Sequence, residues 1–192
     1  AEDQIEFIEY LAEIYQIDQN NINFKLEDAN GGYPDRILKF AIDESHRDRS
    51  FAWFDEDFEP ANLLSQEARQ KLAEYWKIEE KNMKDFLICP LRDLQNKYNP
   101  SNKKPVIIIS QPVCSESIII QALGEKIPES CKVYNPNKVE RDKQVKGLKD
   151  KLKKIIGKNV KLDFYRKNLN KEILEERRKS IPALNLLITM IT

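Results

Sequence analysis

Two hydrophobic periods run along this chain, one helical and one alternating. Across 3–17, Ile5, Ile8, Leu11, Ala12 and Tyr15 recur at helical spacing, while Glu2, Glu6, Glu9 and Glu13 hold the opposite face. That spacing predicts an amphipathic helix. The next segments alternate: Ile22, Phe24 and Leu26 in 22–28, then Leu38, Phe40 and Ile42 in 36–43, then the run 50–54. Three such stretches joined by short polar breaks predict an antiparallel meander packed on the first helix. Helices are predicted for 60–77 and 79–98, the second broken at Cys89-Pro90 because proline removes a backbone donor. The polar stretch 99–104, NPSNKK, reads as a linker.

Beyond the linker the rhythm becomes strand then helix. Val106 to Ile109 are four β-branched residues in a row and predict a buried strand. Pro112 ends it, Ser115 reads as a helix cap with Glu116 in the first turn, and Ile118, Ile119, Ala122 and Leu123 supply an apolar stripe. Residues 131–134 read as a short strand. Residues 139–156 read as a long helix with a seam of Val145, Leu148, Leu152, Ile155 and Ile156. Gly157 ends that helix. Residues 159–165 read as a strand, 170–179 as a helix capped by Asn170, and 183–191, ALNLLITMI, as an apolar strand. The expected fold is therefore α/β, with an acidic α+β part at 1–99 and a Rossmann-like β-α-β-α-β-α-β part at 105–192 on a mainly parallel sheet. A buried strand at the very end predicts that a longer polypeptide continues past Thr192.

Composition sharpens this picture. The chain has 192 residues, 41% hydrophobic and 33% charged, with no apolar run long enough for a membrane helix. Three separated cysteines, Cys89, Cys114 and Cys131, read as free thiols in a reducing compartment such as the cytoplasm. One histidine, His46, gives no zinc spacing, and no cofactor is implied. The charge is balanced overall but segregated. Residues 1–60 carry 5 Lys and Arg against 16 Asp and Glu, whereas 138–179 carry 16 against 7. Such segregation predicts pairing within the molecule, self-association, or a charged partner, rather than any particular fold.

Three candidate sites follow. The first is the turn after the central strand, Ser110, Cys114, Ser115, Glu116 and Ser117, where helix-start amides point toward a ligand position and a thiol could act as a nucleophile. This strand–turn–helix resembles the first unit of the P-loop NTPases. However, SQPVCSES holds neither glycine nor Gly-Lys-Ser/Thr, so no nucleotide hydrolysis is expected. The layout also resembles nucleotide-sensing Rossmann domains of the CARF type, with Ser110, Ser115 and Thr192 standing for that family's serine turn and threonine loop. The second candidate is Asp35, Asp43 and Glu44. It resembles the PD-(D/E)xK nucleases, which would imply a divalent metal, with His46 standing where that family has lysine. The third is the basic surface of Lys146, Lys149, Lys151, Lys153 and Lys154, suited to an acidic protein or, as an alternative, to a nucleic acid backbone. Because no set of paired catalytic groups emerges, the expected function is a non-catalytic protein- or ligand-binding module of a larger regulatory or defence-type protein.

Overall fold

A computed structural model describes residues 2–18, 34–45, 50–55, 64–98, 105–133 and 135–192. The chain divides into two compact units, one made of Ala1–Leu26 with Ser110–Thr192 and the other of Glu27–Ile109. The fold is mostly helical, with two parallel strands in one sheet among the described residues.

The Glu27–Ile109 unit contains α2 (Pro34–Glu44), β1 (Phe51–Asp55), α3 (Gln66–Trp76), α4 (Glu80–Ile88), α5 (Leu91–Asn96) and nearly all of β2 (Val106–Ser110). Local chemistry sets the boundaries of α3. The Ser65 side chain accepts from the Ala68 amide at 3.1 Å, and Asp35 on α2 accepts from the Ser65 amide at 2.8 Å. The core gathers Leu38, Phe54, Leu72, Trp76, Phe86, Leu94, Ile107 and Ile109. Its aromatic rings meet edge to face, Trp76 on Phe86 at 5.8 Å and Phe86 on Tyr98 at 4.9 Å between centroids. Trp76 donates its indole N–H to the Pro105 carbonyl at 3.1 Å, and the Gln95 side chain accepts from the Ile109 amide at 2.7 Å, so polar groups beside a buried strand are satisfied.

The other unit is a bundle built around α6 (Ser115–Ala122). Helices α1 (Glu2–Ile14), α7 (Lys138–Ile156), α9 (Lys171–Arg177) and α10 (Pro182–Ile191) pack against it, and α8 (Lys161–Asn168) packs on α1. All of α6 except the half-buried Gln121 is buried, including the run Ile118, Ile119 and Ile120. A 3-10 turn at Glu129–Cys131 is tied to α7 by Gln144, whose side chain donates to the Ser130 and Val133 carbonyls at 2.6 and 2.8 Å. None of the helices among the described residues is long and apolar enough to cross a membrane.

The expected α/β class is overturned. Among the described residues there is no multi-strand parallel sheet, and so no Rossmann-like part at 105–192 and no degenerate nucleotide-binding fold. The segment 36–43 lies in α2, where Leu38 and Ala41 are buried one turn apart rather than alternating. The segment 159–165 runs into α8, which buries Tyr165 and leaves Val160 exposed. The segment 183–191 is α10, with Pro182 in its first turn, where the missing N–H costs nothing. The strand expected at 131–134 is absent at 131–133, where Cys131 ends the 3-10 turn, and Tyr134 lies outside the described residues. The strand expected at 22–28 and the linker at 99–104 lie outside the described residues. The helical reading of 3–17 and 139–156, the break at Cys89-Pro90 and the strands near 50–54 and 106–109 agree with the structure.

Two helix ends give a stability test. Helix α6 closes with Gly124 at φ 83°, the Gly124 amide donating to the Gln121 carbonyl and the Glu125 amide to that of Ile120. A Cβ there would sit 2.4 Å from the Arg177 guanidinium, which donates to the Gln121 carbonyl at 3.0 Å. Helix α3 closes the same way with Lys77 at φ 53°. Gly124→Ala should lower the unfolding free energy by about 1–2 kcal/mol, and Lys77→Gly should raise it by about 0.5 kcal/mol. Urea unfolding measures both, and a Gly124→Ala protein as stable as wild type contradicts this account of the α6 end.

Candidate functional site

The turn from β2 into α6 brings its five expected residues together, and packs them. Ser110, Cys114, Ser115, Glu116 and Ser117 are all buried, Glu116 at 4% exposure. The turn passes through a cis Gln111–Pro112 bond and then Val113, at φ 74°. A buried β-branched residue in the left-handed region is a strained position held by its surroundings. Cys114, not Ser115, occupies the cap position, in extended backbone and without a side-chain cap bond. The Ser117 hydroxyl donates to the Cys114 carbonyl at 2.6 Å. A thiol buried to this degree packs as a small apolar group. The chemistry expected of an open helix start therefore gives way to packed side chains.

Glu116 links this turn to α7. Its Oε1 lies 3.9 Å from Lys149 Nζ, and its Oε2 lies 3.5 Å from the Ser115 hydroxyl. These are long contacts for a buried carboxylate, and the field of the α6 amides favours the same charge. Along α7 the buried side consists of Arg141, Gln144, Leu148, Leu152 and Ile156. The opposite side carries the basic surface: Lys146, Lys149, Lys153 and Lys154 are exposed, and Lys151 is half-buried. Lys149 is committed to Glu116 and Lys143 to Glu140 at 2.6 Å, whereas Lys146, Lys153 and Lys154 make no ion pair among the described residues.

A second charged arrangement joins α1 to α8, and the sequence reading of 159–165 as a strand concealed it. Lys161 Nζ lies 2.5 Å from Asp3 and 2.9 Å from Glu6. The Arg166 guanidinium grips the Glu13 carboxylate with contacts of 2.7, 2.9 and 3.1 Å. Two residues further, just past the end of α1, Tyr15 donates to Glu175 at 2.6 Å, and Arg178 lies 3.1 Å from the same carboxylate. Burial works against the Lys161 charge, but its hydrogen bonds to Asp3 and Glu6 outweigh that and raise its pKa. The Arg166 hydrogen bonds hold the Glu13 carboxyl below the usual glutamate range. Behind these charges Phe7 and Tyr10 pack on the Tyr165 ring at 5.6 and 5.8 Å. Burial pushes the Tyr10 phenol up to about 12, with Glu13 adding to it, and raises Tyr165 as well, with Asp3 and Glu6 contributing. The available sequence signal was the opposed charge of the two chain ends.

The third expected cluster is dispersed along one helix. Asp35 stands in the first turn of α2 and Asp43 near its end, eight residues or about 12 Å of helix apart, too far to share one metal ion. Asp35 is occupied by the Ser65 amide and Asp43 is exposed. Glu44 ends α2, and His46 lies outside the described residues. No metal-binding group of His, Cys, Asp and Glu forms among the described residues. With only two parallel strands among the described residues, the layout shared with nucleotide-sensing Rossmann domains is also gone. No protein family, no curated protein and no solved structure matches the chain.

The α1–α8 contacts give a pH test. The folded pKa of Glu13 is depressed, so its contribution is present above the unfolded value, about 4.3, and is lost as pH falls through the folded value. Thermal stability should therefore fall on acidification below about pH 4.5, less steeply in Glu13→Gln. Melting curves between pH 6 and pH 3 check this (the range spans that value). Equal slopes for the two proteins contradict a role for the Glu13–Arg166 pair.

Proposed function

We propose that this chain is a non-catalytic binding module that engages an acidic protein partner through the outer face of α7. The observation that carries the reading is a contrast between two basic helices. On α8, Lys161 and Arg166 are committed to α1 carboxylates, whereas on α7, Lys146, Lys153 and Lys154 are exposed without an ion pair among the described residues. Exposed lysines held on a rigid helix steer an oppositely charged partner and set its orientation more than they supply raw affinity. The packed turn at 110–117 supports a binding rather than a catalytic role, since its nucleophile candidate and its carboxylate are both buried. The α7 fold does not depend on the lysines: Leu148, Leu152 and Ile156 anchor it from the other side.

The test replaces Lys146, Lys153 and Lys154 together with Glu and measures binding to poly-glutamate, as an acidic polypeptide probe, from low to high salt. Wild type should bind at low salt and release as the Debye length shrinks from about 10 Å at 0.1 M to about 3 Å at 1 M. The triple variant should lose most of that affinity, with a flatter salt dependence and an unchanged melting temperature. Unchanged binding would mean that this face is only solvated surface.

A further inference from the structure

The outer face of α7 is not uniformly positive, and its interruptions narrow the class of partner. At 3.6 residues per turn, Lys143, Lys146, Asp150 and Lys153 follow one another along a single ridge, with Asp142 and Lys154 on its flanks. All six are exposed. From Lys146 to Lys153 is about 10 Å, and Asp150 stands between them. Resting on the binding role proposed for α7, we infer that the partner is a helix whose charges mirror this order, with carboxylates opposite Lys146 and Lys153 and a basic residue opposite Asp150.

Two observations favour a helix over a plain polyanion. A phosphate backbone or a polyglutamate tract is negative all along, so it would meet Asp150 and Asp142 with like charge, whereas a helix can place one base opposite each. Like charges directly opposed give specificity by repulsion, so the acids discriminate against the polyanion as the lysines attract. The chain also shows this kind of match internally. Asp3, Glu6 and Glu13 on α1 meet Lys161 and Arg166 on α8 at helical spacing, across two helices packed side by side.

The experiment uses the full chain and two synthetic amphipathic helical peptides of identical composition. One places Glu opposite Lys146, Lys153 and Lys154 with Arg opposite Asp150; the other moves that Arg to the peptide end. Poly-glutamate and a duplex RNA serve as polyanions, and fluorescence anisotropy reads all four. The matched peptide should bind about tenfold more tightly than the permuted one. Asp150→Lys should remove or invert that preference, and Asp150→Asn should reduce it. Equal affinity for the two peptides, tightest binding of poly-glutamate or RNA, or tightening of every ligand by Asp150→Lys would overturn the inference while leaving α7 as a basic binding face. If the combined Lys146→Glu, Lys153→Glu and Lys154→Glu variant leaves all four affinities unchanged, the binding role of α7 fails, and this inference with it.

Discussion

Helix α6 is the constraint on which the Ser110–Thr192 part of the chain depends. Helix α6 is buried nearly all round, its isoleucines and its polar first turn alike, so it cannot lie on a surface and must be surrounded. Ile118, Ile119 and Ile120 are consecutive and point in different directions around the axis, yet all are fully buried. One neighbouring helix could cover only one of those directions. The requirement is met by α1, α7, α9 and α10 together, which explains why a segment from the start of the chain joins the same unit as its last helix. At a transfer value of about 1.5–3 kcal/mol for each large aliphatic side chain, this burial outweighs the strain of one left-handed valine at the helix entrance.

Charge then decides how the outer helices divide their roles. Helix α1 must leave its apolar side in the bundle, so its carboxylates emerge along the edges, where α8 supplies Lys161 and Arg166. Those contacts use part of the charge imbalance between the ends of the chain. Part of the remaining basic charge sits on α7, whose inner side is fixed by Leu148 and Leu152 and whose ends are secured by other means. Asn137 accepts from the Val139 and Glu140 amides at 3.0 and 3.3 Å. Buried Arg141 donates to the Asn135 and Pro136 carbonyls at 3.2 and 3.0 Å. Gly157, at φ 66° and ψ −130°, takes a conformation that only glycine visits readily and so ends the helix.

The sequence was legible where one period was long and unopposed. The 3–17 and 139–156 stripes are each sustained over several turns, and the four β-branched residues of β2 have no helical competitor. It misled where a short segment satisfied both periods at once. In α2, Leu38, Phe40 and Ile42 alternate, but Leu38 and Ala41 also lie one helical turn apart, and packing selected the second pattern. In α8 the alternation of Val160, Leu162 and Phe164 was incidental, because the side chains that became buried are Tyr165 and Leu169, four residues apart. In the apolar run ALNLLITMI the helical period shows only in its two polar residues, Asn185 and Thr189, which lie four apart and are both exposed. Its composition held further evidence, since the good helix formers Ala, Leu and Met make up five of its nine residues and proline precedes it.

The same errors explain why the candidate sites fared unequally. A ligand site at the end of a strand, or a metal held by carboxylates on neighbouring strands, presupposes a sheet that brings distant residues to one edge. Once 36–43 is a helix, Asp35 and Asp43 are separated by its length, and once the C-terminal segments are helices, no further strands among the described residues flank β2, and the turn at 110–117 that follows it is packed. The α7 lysines did not depend on the fold class. Their helix was read correctly, and a face defined by helical spacing keeps its membership whatever surrounds it. A functional reading for this chain is therefore strongest where local periodicity alone defines the surface, and α7, with acids interrupting its lysines, is that surface.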